Sequence, residues 1–365
     1  MNKIKVGILG ATGMVGQNYL CLLKNHPWFE VVDLAASTNS AGKTYKEVVL
    51  QKWLMDEDIP EKYSSFIIRD VQNFEDISKD VQLFFSALDL EDKESTRNFE
   101  FNYAENGYAI VSNSSANRWT YDVPMIIPEI NPNHVEIIYS QQQGRNLPQT
   151  GFVVVKPNCS IQSYLIGLFA LQKANFYVKD VQVTTLQALS GAGSKGIKNP
   201  DWRENVIPYI SGEEEKTEKE PLKILGKINS GKIQKSETLN ISASCTRVPV
   251  INGHSAVVHI NFKKNIPTKE EIIQIWNEYI PEINSLNLPS APRPPIIYNS
   301  NSNHPQVKAD VNNGNGMAVT FGRLNYDKFF DYKFIGLSNN IVRGAAGGAI
   351  LTAELLVKKG FIING

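Results

Sequence analysis

The sequence contains 365 residues, a length that predicts two domains rather than one. Lysine plus arginine and aspartate plus glutamate number 37 each, so the balanced charge favours a small-molecule ligand over nucleic acid or a membrane surface. The three cysteines have no paired spacing, which argues against a disulfide framework and a metal site and indicates a reducing compartment, the cytoplasm. The chain opens directly on a strand-like segment, so we expect no signal peptide, and no apolar run reaches membrane-spanning length.

The first segment has the pattern of a dinucleotide-binding unit. Strand-like residues 4–9 are followed by a glycine-rich turn at 10–16 and a helical segment at 17–23. Glycines at this spacing permit a tight turn, close approach of the backbone to a pyrophosphate, and close packing of the helix on the strand. The alternative is an ordinary glycine-rich turn without a ligand. We expect cofactor contacts from Gly10, Thr12, Gly13, Met14, Val15 and Gly16.

The end of the second predicted strand, 30–36, indicates which dinucleotide is bound. An NAD enzyme usually places an acidic residue at this strand end to hold the ribose hydroxyls. Here the loop offers Ser37, Thr38 and Lys43. These side chains can accept a 2′-phosphate that a carboxylate would repel, so the sequence favours NADP(H). A polar loop without a ligand is the alternative.

Further strands are predicted at 65–68, 81–88 and 108–112, with a helix at 91–105. This alternation predicts an α/β fold with a Rossmann-type, doubly wound parallel sheet. Ligands in such sheets bind beyond the carboxyl ends of the strands, which places Arg118 where it can meet an anion. A solvated loop arginine would give the same pattern.

Cys159 lies where a strand pattern, 151–155, gives way to a helical pattern, 163–171. A thiol in the first turn of a helix is close to free amides and to the positive end of the helix dipole, which lowers its pKa. We therefore expect a reactive thiolate. A small buried cysteine capping a core helix is the alternative.

The second half of the chain predicts an α+β domain with a mostly antiparallel sheet. Strand patterns occur at 181–189, 239–250 and 255–262. The charge run at 212–220 is typical of a solvated helix face. Long alternating strands leave one sheet face to be covered, so we expect a homodimer or homotetramer formed through this sheet.

Two basic side chains flank a tight-turn signal, Asn252-Gly253, in this domain. The turn predicts a hairpin that brings Arg247 on one strand beside His254 on the next. An arginine offers two parallel donors to a carboxylate, and a histidine beside a thiolate can act as general acid and base. His259 falls on the opposite sheet face, so the two histidines do not predict a metal site.

The C-terminal segment returns to the character of the first domain. A strand pattern at 333–340 leads into a helix at 343–356 whose start is rich in small residues. We expect this helix beside the glycine turn and the cysteine, with Asn340 near the nicotinamide.

Taken together, these motifs resemble the aspartate-β-semialdehyde dehydrogenase family over nearly the whole chain, in its archaeal and fungal branch. The residues that carry the resemblance are 10–16, Ser112-Asn113 with Arg118, 123–131, Pro157-Asn158-Cys159-Ser160, 187–193, 212–216, and Arg247 seven residues before His254. Lys156 departs from the family pattern, which favours a small or polar residue there, and Ser114-Ser115 varies the loop before Arg118.

The resemblance implies a role for each matching residue. Cys159 would be the nucleophile and His254 the acid/base, while Asn158 and Gln187 hold the cysteine and the thioester. Arg247 would bind the substrate carboxylate and Glu213 its amino group. Lys216 and Arg118 would contact phosphate. The adjoining glutamates at 213–215 leave the Glu213 and Lys216 assignments open. Further cofactor contacts are expected from Ser86, Ser114, Ser190, Gly191 and Asn340, and no metal is expected.

The implied activity is NADP-dependent reduction of L-4-aspartyl phosphate to L-aspartate 4-semialdehyde through a cysteine thioester. The implied organisation is an NADP-binding domain at 1–157, completed by a C-terminal helix at 340–365, and a catalytic and dimerisation domain at 158–339. Two alternatives remain open: a malonyl-CoA reductase that uses the same cysteine, histidine and NADPH, and a non-catalytic NADP-binding sensor.

Overall fold

The computed structural model describes residues 2–78 and 80–363. Met1, Lys79, Asn364 and Gly365 lie outside this range, and with them the ends of the predicted ranges 1–157 and 340–365. The first part of the chain forms a six-stranded, all-parallel sheet with helices between its strands. The strands are β1 (Ile4–Leu9), β2 (Phe29–Ala36), β3 (Arg69–Asp70), β4 (Leu83–Ser86), β5 (Ala109–Ser112) and β6 (Phe152–Val155). The helices are α1 (Met14–Leu23), α2 (Tyr45–Val49), α3 (Glu61–Ser64), α4 (Lys93–Glu105) and α5 (Ile137–Arg145).

The strand order in this sheet is β3-β2-β1-β4-β5-β6, which confirms the predicted doubly wound arrangement. All residues of β4, β5 and β6 are buried, as expected for parallel strands covered by helices on both faces. The carboxyl ends of β1 and β4 therefore meet at one edge of the sheet, where the sequence predicts the cofactor.

The third strand was predicted at the wrong position. It was expected at 65–68 but occupies Arg69–Asp70, where Arg69 pairs with Ala35 of β2. The predicted segment makes only an isolated bridge between Ile67 and Thr44. The apolar pattern of this segment arises because Phe66 and Ile68 pack against the core, while Ile67 is exposed.

The second sheet is mixed and mostly antiparallel, as predicted. The remaining strands are β7 (Val178–Gln187), β8 (Lys227–Asn229), β9 (Lys232–Gln234), β10 (Asn240–Arg247), β11 (His254–Phe262), β12 (Ile296–Asn299), β13 (Val319–Tyr326) and β14 (Tyr332–Ser338). The helices are α6 (Leu165–Lys173), α7 (Gly193–Lys198), α8 (Glu213–Ile224), α9 (Lys269–Glu278) and α10 (Val307–Asp310). The order is β10-β7-β11-β14-β13-β12, with β10/β7 and β12/β13 parallel, and β8-β9 forms a separate hairpin.

The predicted hairpin between β10 and β11 is wrong. β7 lies between them, parallel to β10 and antiparallel to β11. The segment that connects β10 to β11 crosses the end of β7 and is held there by backbone hydrogen bonds. The Val248 amide donates to the Gln187 carbonyl oxygen, and the Leu189 amide donates to the Val250 carbonyl oxygen. Arg247 and His254 consequently approach each other from opposite sides of β7.

The C-terminal helix packs on the first sheet. A π-helical segment, Val342–Ala346, precedes α11 (Gly347–Lys358) and contains a non-helical residue, Ala345. Apolar side chains of α11 share one buried cluster with those of β1. Among the described residues, no helix is long and apolar enough to cross a membrane.

Candidate active site

A cavity of about 350 Å³ lies between the two sheets, at the carboxyl edge of the parallel strands. Both halves of the chain line it, so a ligand in this cavity would contact the glycine turn and the cysteine together. Its lining residues are Met14, Val15, Ala87, Leu88, Asp89, Asn113, Ser114, Ser115, Arg118, Asn158, Cys159, Ser190, Gly191, Glu213, Lys216, Asn340, Ile341, Gly344 and Ala345.

The glycine turn has the close packing that a dinucleotide site needs. Gly10 has φ +80°, and a Cβ there would lie 2.7 Å from the Ala87 carbonyl oxygen. A Cβ at Gly16 would lie 2.4 Å from the Gly10 carbonyl oxygen, so α1 can approach the turn only with glycine at this position. α1 begins at Met14, and its first two residues line the cavity, where their amide groups can meet a phosphate.

The loop after β2 carries the expected polar set. Ser37, Thr38 and Lys43 are exposed beyond the strand end, and Lys43 Nζ donates only to the Asn39 carbonyl oxygen, at 3.0 Å. The nearby carboxylate of β2, Asp33, is buried and accepts two hydrogen bonds from Arg69. It is therefore not free to bind a ribose.

Ser86 is not brought to the cavity. It was expected to contact the cofactor, but it ends β4, is fully buried, and its hydroxyl donates to Glu100 at 2.7 Å. Glu100 also accepts from Ser112 and Asn117, so it ties together the ends of β4 and β5 and the loop before Arg118. Sequence analysis missed Glu100, because nothing in the sequence distinguishes it from the other polar residues of α4.

Cys159 immediately precedes a one-turn 3₁₀ helix, Ser160–Ser163, and α6 follows. It is partly exposed to the cavity, whereas Cys21 and Cys245 are buried. Its Sγ lies 3.3 Å from Nε2 of His254. This distance brings the predicted nucleophile and acid/base together, although the hairpin expected to position the histidine does not exist.

The ionisation of this pair differs from the prediction. Burial raises the pKa of the Cys159 thiol, and the nearby Glu213 carboxylate raises it further, so the expected lowering by a helix start is wrong. Burial likewise lowers the pKa of His254 to about 3, with Arg247 adding to the effect. Desolvation in the cleft outweighs one short helical turn and favours the neutral thiol and the neutral imidazole.

The two other thiols follow the prediction. Burial raises the pKa of Cys21 to about 12 and also raises that of Cys245. Thiol acidity therefore does not single out Cys159. Cys159 is distinguished instead by its access to the cavity and by its imidazole partner, His254.

Glu213 lines the cavity and holds three neighbouring side chains. Its Oε2 accepts from Nδ2 of Asn158 at 2.9 Å and from Nε2 of Gln187 at 3.2 Å, while Oε1 accepts from Lys216 Nζ at 2.6 Å. Burial opposes ionisation of Glu213, but Lys216, Asn158 and Gln187 together lower its pKa. The carboxylate is thus held in its charged form, and Gln187 acts behind it rather than on the cavity wall.

The charge run is only partly a solvated face. Glu213 and Lys216 point into the cavity, while Glu214 and Glu218 accept hydrogen bonds from backbone amides of β10. Glu215 is exposed and pairs with Lys219. The helix register therefore supports the choice of Glu213 and Lys216 over their neighbours.

Arg118 is fixed by a residue that sequence analysis missed. Its Nη1 donates to Glu220 Oε1 at 2.9 Å, and its Nε donates to the Lys156 carbonyl oxygen at 3.1 Å. Glu220 Oε2 also accepts from the Asn158 amide at 2.6 Å. Glu220 lies seven residues after Glu213 and so on the same face of α8, a spacing that could have indicated it.

Arg247, Gly191 and Asn340 pack around the histidine. Arg247 Nη1 donates to the Ala188 carbonyl oxygen at 2.8 Å, and its buried Nε has no partner among the described residues. A Cβ at Gly191 would lie 2.6 Å from Arg247 Nη1 and 3.1 Å from His254 Nε2. Asn340 donates to the Ser190 hydroxyl at 2.8 Å. Arg247 itself is not among the residues that line the cavity.

No group of three histidine, cysteine or carboxylate residues is arranged to hold a metal ion in the part of the chain that the structure describes. His259 lies on the opposite face of β11 from His254, as predicted, and its Nδ1 is 3.5 Å from Asp327 Oδ2.

A glycine turn facing a cysteine–histidine pair across one cleft defines a dinucleotide-dependent enzyme with a thiol nucleophile. Two family models match the chain: semialdehyde dehydrogenase, NAD binding domain, over 5–138, and semialdehyde dehydrogenase, dimerisation domain, over 168–343. The chain therefore belongs to the semialdehyde dehydrogenase family, as the sequence motifs predicted. A dinucleotide cofactor and dimer formation are supported by the same two matches.

Curated relatives and a solved structure agree with this family over the full length. Aspartate-semialdehyde dehydrogenase of Archaeoglobus fulgidus is 40% identical over 362 residues, covering 99% of this chain and 100% of the relative. The enzyme of the same name from Schizosaccharomyces pombe is 39% identical over 363 residues, covering 98% and 99%. The crystal structure of aspartate semialdehyde dehydrogenase with NADP from Candida albicans is 34% identical, with a TM-score of 0.87, and covers 99% of this chain and 100% of that one. Neither a malonyl-CoA reductase nor a non-catalytic sensor is favoured by these comparisons.

Proposed function

We propose that the protein is an NADP-dependent aspartate-semialdehyde dehydrogenase, which converts L-4-aspartyl phosphate to L-aspartate 4-semialdehyde in lysine, threonine and methionine biosynthesis. The observation that carries this proposal is the 3.3 Å approach of Cys159 Sγ to His254 Nε2 beside a cavity that also exposes Glu213 and Lys216. The archaeal and fungal relatives with this activity in their names support the choice of substrate.

The residues present fit NADP(H). Gly10 and Gly16 let α1 pack closely on the turn, so that the start of the helix can meet a pyrophosphate, and Ser37, Thr38 and Lys43 offer donors to a 2′-phosphate in a loop that itself carries no carboxylate. Nearer the cysteine, Ser114, Ser190, Gly191 and Asn340 line the cavity. When bound, NADPH supplies the hydride that reduces the thioester.

Cys159 begins the reaction. Its thiolate attacks the acyl carbon of aspartyl phosphate, the C–O bond to phosphate breaks, and the anion leaves toward Arg118 and Lys216. The carbonyl oxygen develops negative charge in both this step and the reduction, and the His254 Nε2–H, which faces Cys159 Sγ, would donate to it. Breaking of the C–S bond then releases the aldehyde and regenerates the thiolate.

The remaining substrate contacts select an amino acid. The buried, charged Glu213 complements a substrate ammonium group, and Arg247 complements a carboxylate. A malonyl thioester has no ammonium group, so a carboxylate held charged at this position favours aspartyl phosphate over malonyl-CoA.

We also propose the division into an NADP-binding domain, 1–157 with 340–365, and a catalytic and dimerisation domain, 158–339. The outward face of the second sheet leaves Ser255, Val257 and His259 half-buried, which suits a partner subunit. We propose a homodimer or homotetramer formed through this face, acting in the cytoplasm.

Purified protein tests the function in one set of assays. We expect oxidation of aspartate semialdehyde with NADP to depend on phosphate and not on coenzyme A. Coenzyme A-dependent oxidation of malonate semialdehyde instead would indicate the malonyl-CoA reductase, and NADPH binding with no turnover of either aldehyde would indicate a sensor.

A further inference from the structure

Lys156 is a buried lysine beside the nucleophile that the mechanism above does not use. It directly follows β6, stands three residues before Cys159, and is 2% exposed. Its Nζ donates to the Pro157 carbonyl oxygen at 2.8 Å, and its own carbonyl oxygen accepts from Arg118 Nε. The side chain is thus bonded to the turn that carries Cys159.

The C-terminal segment covers both side chains. A Cβ at Gly344 would lie 2.8 Å from Cys159 Cβ, and a Cβ at Gly348 would lie 3.1 Å from Lys156 Cε. Two glycines of one segment therefore leave the space that the cysteine and the lysine occupy. Lys156 is enclosed behind the turn, whereas Cys159 borders the cavity in front of it.

The carboxylates around Lys156 already have partners. Glu220 is bonded to Arg118, and Glu129 is bonded to Arg343 at 2.7 Å. Within the described residues, the Lys156 ammonium makes no hydrogen bond to a carboxylate. Burial lowers the pKa of Lys156 to about 7, while Cys159 acts to raise it and Arg118 to lower it. The thiolate is therefore a charge that Lys156 can compensate.

The histidine does not supply that charge. The Ala188 amide donates to Nδ1 of His254, so a neutral ring carries its proton on Nε2, facing the sulfur. This proton can be donated to a thiolate, but Nε2 has no lone pair left to take the thiol proton. After burial and Glu213, which raise the pKa of Cys159, the groups that lower it are Lys156, Arg118 and Arg247, in that order.

We propose that Lys156 is a positioning residue for the nucleophile: its ammonium group holds the turn through the Pro157 carbonyl and stabilises the thiolate of Cys159. The inference rests on the proposed role of Cys159. The Lys156 pKa of about 7 leaves part of the lysine protonated at neutral pH. In that form the thiol proton passes to water in the cleft, and the buried ammonium and the thiolate balance each other's charge. Arg118 and Arg247 face the same sulfur, and Glu213 opposes them.

The test is the pH dependence of Cys159 alkylation in the full-length protein. The rate with iodoacetamide is measured from about pH 6 to 10, with the labelled residue located by mass spectrometry, for the wild type and Lys156→Met. Removing the cation should raise the midpoint of the rate-against-pH profile by about one pH unit. Labelling below the midpoint should then be about tenfold slower, while the rate at high pH stays unchanged. Lys156→Thr, a smaller polar replacement, provides the same measurement if the methionine variant does not fold.

Lys223→Met is the matched control. Lys223 is also buried, and its Nζ donates to three carbonyl oxygens near Arg118, so its loss tests structural damage without removing the charge behind Cys159. Its alkylation midpoint should equal that of the wild type. A Lys156 variant whose profile superimposes on the wild type, or an equal shift in Lys223→Met, overturns the inference. Labelling that inactivates the enzyme at a residue other than Cys159 overturns the proposed nucleophile instead.

Discussion

The Ala188 amide donates a hydrogen bond to Nδ1 of His254 over 3.0 Å. This bond assigns the proton of the neutral imidazole to Nε2, the nitrogen that faces Cys159 Sγ. The histidine is thereby arranged as a hydrogen-bond donor to charge that develops on the sulfur or on the substrate oxygen. Its buried position keeps the ring neutral at physiological pH.

Replacing His254 by asparagine should lower turnover by roughly 10² to 10⁴, as expected for loss of a general acid/base. The thiol should still be alkylated, only more slowly, because the Nε2–H no longer stabilises the thiolate. Steady-state assays and iodoacetamide labelling of the same preparation measure both effects. Full turnover in the variant would mean that the donor is a different group.

The exposed polar loop after β2 predicts cofactor preference. We expect NADP(H) to bind at least about tenfold tighter than NAD(H), a difference of roughly 1.4 kcal/mol, because the loop offers donors and no free carboxylate. Lys43→Glu should reduce this preference by placing a negative charge beside the 2′-phosphate. Titration calorimetry gives the four affinities, and equal binding of both cofactors by the wild type would contradict the assignment.

The paired carboxylate of Glu213 predicts a pH effect on stability. Its pKa is lower in the folded protein than in the unfolded chain, so its contribution is present above the unfolded value, about 4.3, and is lost as the pH falls through the folded value. Glu213→Gln should therefore lose less stability on acidification below about pH 5 than the wild type. Urea unfolding at pH 7 and at decreasing pH values compares the two proteins, and parallel losses would show that Glu213 is not charged and paired.

The same variant should also separate binding from folding. Because the amide cannot attract an ammonium group, we expect a raised KM for aspartate semialdehyde with NADPH affinity unchanged. Glu215→Gln is the matched control, since Glu215 lies two residues on and is exposed. An unchanged KM in Glu213→Gln would remove Glu213 from the substrate site.

The half-buried face of the second sheet predicts self-association. Static light scattering at micromolar concentration should give the mass of at least two chains. Val257→Glu, which puts a charge on this face at the middle of β11, should shift the mass toward the monomer. A monomeric wild type would contradict the proposed interface.

The sequence could predict most of the fold because its signals are local. The glycine turn, the strand before Cys159 and the C-terminal helix each depend on neighbouring residues. The prediction of the hairpin was wrong because Asn252-Gly253 is only part of a longer connection. The hydrogen bonds of this connection to residues after β7 cannot be predicted from the turn residues alone.

The sequence could predict which residues form the site better than it could predict their pKa values. Cys159, His254 and Arg118 belong to motifs, but the direction of the thiol pKa depends on burial by residues far away in the chain. Glu220 and Glu100 act by accepting several hydrogen bonds from distant segments. The spacing from Glu213 could have indicated Glu220, but the place of Glu100 in a polar helix does not indicate its partners.

The most direct test of the account is the identity of the reactive cysteine. Limiting iodoacetamide at neutral pH should modify Cys159 first, with activity lost in proportion, because Cys21 and Cys245 are buried whereas Cys159 borders the cavity beside the His254 imidazole. Cys159→Ser should abolish dehydrogenase turnover while NADPH still binds, since the dinucleotide contacts lie on the glycine turn. Labelling of Cys21 or Cys245 in step with inactivation, or near-full turnover of Cys159→Ser, would contradict the assignment of the nucleophile.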